Sequence, residues 1–138
     1  MMTTGNNIHD SYLKILIVED DFYSRRLLQR YLSPFGDCDI AVNGQEAVDA
    51  YKRSLNDEFG YDLVCLDLAL PILDGQKTLK KIREIEEQNG IFADECVKVI
   101  ITSATKDKRN ILDAFCTGAE GYVPKPISRD ELLSTVKD

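Results

Sequence analysis

The sequence contains a single histidine and no tryptophan among its 138 residues. The histidine, His9, lies in a polar N-terminal stretch, residues 1–12, which we predict to be a flexible tail. A Ser-His-Asp or Cys-His nucleophile would then depend on an imidazole that the fold does not hold in place. The same shortage of histidine argues against a phosphohistidine carrier and against a histidine-rich metal site. The chemistry of this chain must therefore come from Asp, Glu, Lys, Ser and Thr.

Cysteine pairs at metal-binding or redox spacing are also missing. The four cysteines stand at positions 38, 65, 96 and 116, and no two have the Cys-x-x-Cys spacing. We predict neither a zinc site nor a redox pair, and we interpret the cysteines as free, buried, structural thiols. Cys116 in particular falls on the apolar stripe of a predicted helix.

Long apolar runs and glycine-rich nucleotide loops are absent as well. No run approaches the length of a membrane span, about 20 residues, and the N-terminus lacks the apolar stretch of a secretion signal, so we expect a cytoplasmic protein. Neither Gly-x-x-x-x-Gly-Lys-[Ser/Thr] nor Gly-x-Gly-x-x-Gly occurs, which argues against a nucleotide site. The net charge of −7 argues against direct nucleic-acid binding and fits partners that are basic or bring a cation.

Short strands and helices alternate along the sequence that follows the tail. Apolar and β-branched runs predict strands at residues 13–18, 39–42, 62–67, 97–102 and 121–123. Helical spacing and capping residues predict helices at 22–32, from Asn43 to about 55, at 75–89, at 107–117 and from Ser128 onward. Ile111, Leu112 and Phe115 are expected to face inward. This alternation predicts one α/β domain, (βα)₅, with a parallel sheet covered by helices on both faces.

Polar side chains follow most of the predicted strands. Glu19-Asp20-Asp21 follows the first strand, Asp67 ends the third, Thr102-Ser103-Ala104 ends the fourth, and Lys125 follows the fifth. Parallel strands end at one edge of a sheet, where open α/β folds bind ligands, so these groups should converge there. A divalent cation such as Mg²⁺ relieves the repulsion among several carboxylates, and it binds them together with a phosphate. Aspartate can itself be the nucleophile and form an acyl phosphate.

Each of these residues also has a simpler interpretation. Asp20 or Asp21 could cap the first helix, and Asp74 could cap the third. Ser103 could be a loop hydroxyl that bonds to backbone, and Lys125 could be an ordinary surface lysine. Asp67 is the hardest to explain in this way, because the apolar residues around it predict a buried segment in which an unpaired charge is costly.

Four segments of the sequence resemble the receiver domain of two-component response regulators. They are ILIVEDD (15–21), LVCLDLALPILDG (63–75), VIITSA (99–104) and GYVPKP (121–126). The resemblance covers about residues 13–137, and it implies a flavodoxin-like, doubly wound three-layer sandwich with strand order 2-1-3-4-5. We therefore expect residues 13–138 to form a receiver domain, with no output domain among them.

The resemblance implies roles in phosphoryl transfer and in switching. Asp67 is the expected phospho-acceptor. Lys125 is expected to pair with the phosphoryl group, and Ser103 is the expected switch hydroxyl that bonds to it. Tyr122 is the aromatic residue that should swing inward when Ser103 moves. The peptide bond between Lys125 and Pro126 is expected to be cis.

The resemblance also implies a metal site. Glu19, Asp20, Asp67 and the backbone carbonyl of Ala69 are the expected ligands of Mg²⁺, for which Mn²⁺ could substitute. Asp21 is left as a helix cap or a surface acid. Ala69 is small where many receivers carry Met or Asn, so the lifetime of the phosphorylated state is left open.

The partners follow from the same resemblance. The phosphoryl donor should be a sensor histidine kinase or a histidine phosphotransfer protein. The phosphorylated domain should act on a downstream protein or an attached output domain through its fourth helix, fifth strand and fifth helix. It should promote its own phosphorylation and slow dephosphorylation without being a turnover enzyme, bind neither membrane nor nucleic acid, and be a monomer or a phosphorylation-linked homodimer. Two alternatives are a receiver-fold interaction module that takes no phosphate and a Mg²⁺-dependent phosphatase with an external substrate.

Overall fold

A computed structural model of the chain describes residues 12–57 and 60–138. The predicted N-terminal tail, with His9, lies outside the described residues except for Tyr12. The Tyr12 hydroxyl donates a hydrogen bond of 2.9 Å to Asp37. None of the helices in the described part of the chain combines the length and apolar character of a membrane span.

Strands and helices alternate through the described residues. The strands are β1 (Leu13–Val18), β2 (Gly36–Ala41), β3 (Leu63–Asp67), β4 (Lys98–Ser103) and β5 (Gly121–Pro124). The α-helices are α1 (Phe22–Leu32), α2 (Gly44–Asn56), α3 (Gly75–Gln88), α4 (Lys108–Thr117) and α5 (Arg129–Lys137). All strand pairs are parallel, and the order in the sheet is β2-β1-β3-β4-β5. The predicted flavodoxin-like (βα)₅ fold is confirmed.

Each α-helix begins at a side chain that accepts a hydrogen bond from a backbone amide of its first turn. The five capping residues are Asp21, Asn43, Asp74, Asp107 and Ser128. Such caps satisfy amides that have no partner within the helix. Asp21 accepts from the amide of Ser24 at 2.9 Å, so the third acid of Glu19-Asp20-Asp21 is the helix cap.

Four of the five strands have bounds that differ from the sequence prediction, because strand pairing, rather than local composition, sets them. β2 begins at Gly36 instead of residue 39, since its first residues pair with Leu13 and Lys14 of β1. β4 begins and ends one residue later than predicted, with Ser103 as its last residue opposite Pro124. β3 begins at Leu63 rather than Asp62.

Alternation along the strands divides the buried side chains between the two faces of the sheet. One face carries Ile15, Ile17, Leu63, Cys65, Ile100 and Val123, and it packs against α1 and α5. The other carries Leu16, Val18, Val64, Leu66, Val99 and Ile101, and it packs against α2, α3 and α4. Successive residues of a strand point to opposite faces, so the same alternation decides where the polar residues at the strand ends point.

The inward placement predicted for Ile111, Leu112 and Phe115 is wrong. Leu112 is 62% exposed and Phe115 41%, and Ile111 is only partly buried. The one residue of α4 that is buried is Ala114. An apolar stripe identifies a helix face but not what covers it, and here the small side chain of Ala114 is the one that meets the core.

Two polar side chains of α3 hold α4 at its two ends. The Gln76 amide donates to the carbonyl of Asn110 at 2.7 Å, and the Arg83 guanidinium donates to the carbonyl of Gly118 at 2.7 Å. The one buried side chain of α4 is an alanine, whereas α5 buries a leucine, Leu132, so these polar contacts contribute to holding α4 in place.

The cysteine prediction is only partly right. All four thiols are free, but Cys65 is the buried one, Cys38 and Cys96 are partly buried, and Cys116 is exposed. Cys116 is exposed because it shares the solvent side of α4 with Phe115. Burial raises the pKa of the Cys65 thiol to about 12, as expected for an inert structural thiol.

A buried carboxylate far from the strand ends ties α2, α3 and β4 together. Glu86 is almost fully buried and accepts from the Tyr51 hydroxyl at 2.8 Å, from the amide of Val97 at 2.7 Å and from Arg83 at 2.7 Å. Sequence periodicity gave no sign of it, because a Glu within a helix ordinarily marks the solvent side. Its charge is tolerated because both oxygens are hydrogen-bonded.

Replacing Tyr51 with Phe should lower the free energy of unfolding by about 1–2 kcal/mol, because a buried, charge-assisted hydrogen bond is lost. Urea unfolding of purified protein measures this. Tyr61→Phe is the matched control, since its hydroxyl donates at 2.7 Å to the exposed Asp39, and it should cost less than about 0.5 kcal/mol. Equal losses in the two variants would contradict a structural role for the Glu86 network.

Candidate functional site

The polar residues at the strand ends lie on defined faces of the sheet. Every second residue of a strand points to the same face of the sheet. Asp67 therefore points the same way as Leu63 and Cys65, and Thr102 points the same way as Ile100. Lys125 likewise follows Val123, so all three side chains lie on the face that packs against α1 and α5. Glu19 follows Ile17 in the same way, and its amide extends the ladder by donating to Ala41 at 3.0 Å. In sheet order, the residues form a row: Glu19, Asp67, Thr102, Lys125.

Lys125 reaches back across this row to both carboxylates. Its Nζ lies 2.7 Å from Glu19 Oε1 and 3.2 Å from Asp67 Oδ2. The Asp67 contact is a hydrogen bond, whereas the Glu19 contact is an ion pair without hydrogen-bond alignment. Glu19 is 0% exposed and Asp67 3%, so both charges depend on this lysine. The interpretation of Lys125 as an ordinary surface lysine is therefore wrong.

The charge balance of the cluster appears in the pKa values of two of its members. Burial raises the pKa of Glu19 to about 7, against the opposing effect of Lys125, and the nearby charge of Asp67 raises it further. For Lys125, burial acts to lower the pKa, but the hydrogen-bonding and charge contributions of Glu19 and Asp67 prevail and the pKa is raised. The ammonium is thus stabilised, while one of the carboxyl groups takes up a proton near neutral pH.

Glu19, Asp20 and Asp67 form a group that could hold a metal ion, since ligand oxygens from all three lie within 4.8 Å of one another. Asp20 is exposed, whereas Glu19 and Asp67 are buried, so an ion would be reached from solvent on one side. The donor set is all oxygen, which suits Mg²⁺. One buried oxygen, Glu19 Oε1, has no aligned hydrogen bond, and its charged contact, the Lys125 ammonium, is one that a metal ion could replace. The residues fit the predicted metal.

The loop between β3 and α3 holds the Asp67 backbone tightly. The amide of Ala69 donates to Asp67 Oδ1 at 3.2 Å, which places Ala69 beside the carboxylate; its predicted metal-binding carbonyl stays a prediction. The amide of Gly75 donates to the carbonyl of Leu68 at 3.0 Å, and a Cβ at Gly75 would collide with the Asp67 carbonyl. Only glycine permits this approach.

The same loop contains a backbone feature that the sequence did not indicate. Ile72 has φ 69° and is 81% exposed. A β-branched residue in the left-handed region is a conformational outlier, and such outliers cluster at functional sites. Ile72 lies in the loop between β3 and α3, five residues after Asp67.

The predicted switch residues lie on the opposite face of the sheet from Asp67. Ser103 follows Val99 and Ile101 in alternation, and Tyr122 lies on a neighbouring strand whose register pairs it with Ile101. Asp67, Ser103 and Lys125 nevertheless line one open depression of about 470 Å³, because it lies at the sheet edge where the two faces meet.

Thr105 connects the two switch residues, and sequence reasoning missed it. Its amide donates to Ser103 Oγ at 3.0 Å, and its carbonyl accepts from the Tyr122 hydroxyl at a long 3.5 Å. The interpretation of Ser103 as a hydroxyl bonded to backbone therefore describes this structure, and it leaves the hydroxyl proton free for another acceptor. The peptide bond between Lys125 and Pro126 is cis, as predicted.

The sequence of the chain matches the family description "Response regulator receiver domain" over residues 15–137. The chain belongs to this family. It is 30% identical over 126 residues to the chemotaxis protein CheY of Halobacterium salinarum, an alignment that covers 91% of this chain and 94% of that protein. It is 31% identical to hybrid signal transduction histidine kinase L of Dictyostelium discoideum, with 90% of this chain covered. This receiver domain spans only 7% of the length of that kinase.

Solved receiver domains share the fold. One is the receiver domain of the response regulator Ssk1 from Saccharomyces cerevisiae, in co-crystals with the histidine phosphotransfer protein Ypd1. Its TM-score is 0.80 at 30% identity, with 92% of this chain and 88% of that chain covered. Another is the CheX-CheY-BeF3-Mg+2 complex of Borrelia burgdorferi, with a TM-score of 0.74 at 31% identity and coverage of 89% and 85%. A receiver chain of this fold has thus been solved with magnesium and another with a phosphotransfer protein.

The raised pKa of Glu19 implies that Mg²⁺ binding to this receiver domain depends on pH. Below about pH 7 the Glu19 carboxyl is protonated and must release a proton to become a ligand. We therefore expect Mg²⁺ affinity, measured by titration calorimetry, to be about tenfold weaker at pH 6 than at pH 8 and to level off above pH 8. Glu19→Gln, which cannot titrate at this position, is the control and should bind weakly and equally at both pH values. A wild-type affinity that is constant from pH 6 to 8 would overturn this account.

Proposed function

We propose that this receiver domain accepts a phosphoryl group on Asp67 in a Mg²⁺-dependent reaction and thereby switches its surface in two-component signal transduction. The observation that carries the proposal is the position of Asp67, a buried carboxylate paired with Lys125 beside two further acids and opening onto a depression lined by Ser103. A carboxylate that served only packing would have no reason to meet this set of groups at a solvent-open edge.

The chemistry requires positioning and charge neutralisation more than acid–base catalysis. A carboxylate oxygen of Asp67 forms the new bond to phosphorus while the bond from phosphorus to the donor's imidazole nitrogen breaks, and its electron pair stays on the imidazole. Mg²⁺, when bound by Glu19, Asp20 and Asp67, supplies positive charge next to the phosphoryl oxygens. Lys125 Nζ, now on Asp67 Oδ2, supplies a second positive charge and hydrogen bonds to the same group.

We further propose that the domain promotes its own phosphorylation and slow dephosphorylation without being a turnover enzyme. An enzyme that released phosphate from an external substrate would need a general acid or base at the nucleophile. Residues 12–57 and 60–138 contain no histidine, and the carboxyl group beside Asp67, Glu19, is paired with Lys125 and assigned to the metal site. The depression at Asp67 is open and shallow, which suits a group presented by another protein.

The proposed switch runs from Ser103 to α4. Phosphorylation adds roughly −1.5 to −2 charges and three acceptor oxygens. The hydroxyl of Ser103 is drawn toward them, which disturbs the hydrogen bond it accepts from Thr105 and, through Thr105, the contact with Tyr122. The adjacent helix α4 is held mainly by polar contacts, so its face can change with little disruption of the core.

The proposed partners fall into two groups. The donor is a sensor histidine kinase or a histidine phosphotransfer protein, and the exposed Phe22 and Tyr23 of α1 lie at the site's edge as a docking surface. The recipient is a downstream protein or an attached output domain that meets the face of α4, β5 and α5, where Leu112 and Phe115 are exposed. We place this exchange in the cytoplasm, with the domain monomeric or forming a phosphorylation-linked dimer.

Asp67→Asn should abolish labelling by a small-molecule phosphodonor such as acetyl phosphate or by a phosphorylated kinase, because the amide is not nucleophilic enough to attack phosphorus. Labelling is measured by phosphate-affinity electrophoresis at neutral pH. Asp113→Asn, an exposed position on α4, is the matched control and should label like the wild type.

Metal removal separates the roles of the acceptor and of its acidic neighbours. With EDTA the wild-type domain should lose labelling, and added Mg²⁺ or Mn²⁺ should restore it. Stoichiometric labelling of Asp67→Asn would show that the acceptor is misassigned. A wild-type domain that stays unlabelled by every donor would favour an interaction module that takes no phosphate.

A further inference from the structure

Two buried side-chain oxygens in the described part of the chain lack a hydrogen-bond partner, Glu19 Oε1 and Thr102 Oγ1. Both belong to the row Glu19, Asp67, Thr102, Lys125 at the strand ends, one on each side of Asp67. The first is explained by the metal site and its ion pair with Lys125. The hydroxyl of Thr102 has no such explanation, although the residue is 0% exposed and valine would fill the same volume.

Thr102 lies where Lys125 must pass to reach its carboxylates. β4 separates β5, from which Lys125 comes, from β3, which carries Asp67. Neighbouring strands lie about 4.8 Å apart, so about 10 Å of sheet separates β5 from β3, and the side chains of Lys125 and Asp67 bridge it together. Thr102 is the residue of β4 paired with Asp67 on one side and Val123 on the other, and it faces the same side of the sheet as Lys125.

The ion pair of Lys125 with Glu19 competes with a metal ion. Glu19 Oε2 already accepts from the amide of Asp21 at 3.2 Å, and Oε1 faces the Lys125 ammonium at 2.7 Å. A cation that takes Oε1 repels the ammonium from its ion pair, and the N–H groups of the partly buried Lys125 that faced Glu19 then need another acceptor. Such an N–H costs free energy unless another acceptor lies near, and of the two unpartnered buried oxygens Thr102 Oγ1 is the one left.

We propose that Thr102 is a positioning residue whose hydroxyl accepts a hydrogen bond from Lys125 when a cation displaces the ammonium from its ion pair with Glu19. Lys125 then keeps its hydrogen bond to Asp67 Oδ2, where it can contact the phosphoryl group, instead of turning toward solvent. The proposal rests on the proposed function, because phosphoryl transfer is the reason for keeping Lys125 on Asp67. Its own claim concerns metal binding, so it is tested without a phosphodonor.

The proposal predicts that Thr102→Val changes thermal stability and Mg²⁺ affinity in opposite directions. In the metal-free protein, Thr102→Val removes an unpartnered buried hydroxyl and keeps the side-chain shape, so the midpoint of thermal unfolding should rise by roughly 3–5 °C. With Mg²⁺, the same variant leaves the displaced ammonium without its acceptor, so Mg²⁺ affinity measured by calorimetry should fall about tenfold. A residue that serves packing alone would not give this pair of results.

Thr102→Ser is the matched variant, because it keeps the hydroxyl and loses the methyl group. It should retain Mg²⁺ affinity within about twofold of the wild type even where the lost methyl group lowers its unfolding midpoint. A Thr102→Val variant that binds Mg²⁺ as the wild type does, or a Thr102→Ser variant that is weakened equally, would overturn the proposal. A wild-type domain that binds Mg²⁺ but takes no phosphoryl group would instead count against the proposed function, so the two failures are distinguishable.

Discussion

The contact of Lys125 with Glu19 and Asp67 is the interaction on which the rest of this structure depends. Two carboxylates buried at adjacent strand ends repel each other, and removing the partner of a buried ion pair typically costs about 3–5 kcal/mol. The strand order satisfies this constraint, since it places β1 beside β3 and brings β5 within reach across β4. Lys125 stabilises the cluster, and under the proposed function the same pairing would be exchanged for a metal ion or a phosphoryl group.

A change of charge at this cluster can affect the surface of the domain through a few intervening residues. Asp67 and Lys125 belong to one face of the sheet and Ser103 and Tyr122 to the other, and a phosphoryl group at the edge would touch residues of both. Thr105 joins the two switch residues, and α4 follows it directly. α4 is attached through one buried alanine and two side chains of α3, which favours a change in its position.

Sequence reasoning predicted well what local chemistry decides. The bounds of β1 and α1, the caps at Asn43 and Asp74, and the convergence of Glu19, Asp20 and Asp67 follow from apolar runs, capping residues and the rule that parallel strands end at one edge. It failed where tertiary contacts decide. The apolar stripe of α4 turned out to face solvent, because periodicity cannot tell which face a neighbouring helix will cover. Glu86 and Thr105 carried no local signal, since their partners Tyr51 and Tyr122 lie far away in sequence.

The central claim is that the phosphoryl group resides on the carboxylate of Asp67. Borohydride reduces an acyl phosphate to an alcohol, so a phosphorylated aspartate becomes homoserine and keeps that mark through digestion. The wild-type domain is treated with phosphodonor and Mg²⁺, reduced with borohydride, digested and sequenced by tandem mass spectrometry. The account predicts homoserine at position 67 and unchanged aspartate in a sample incubated with EDTA. Homoserine at another position, or at 67 without metal, would contradict it.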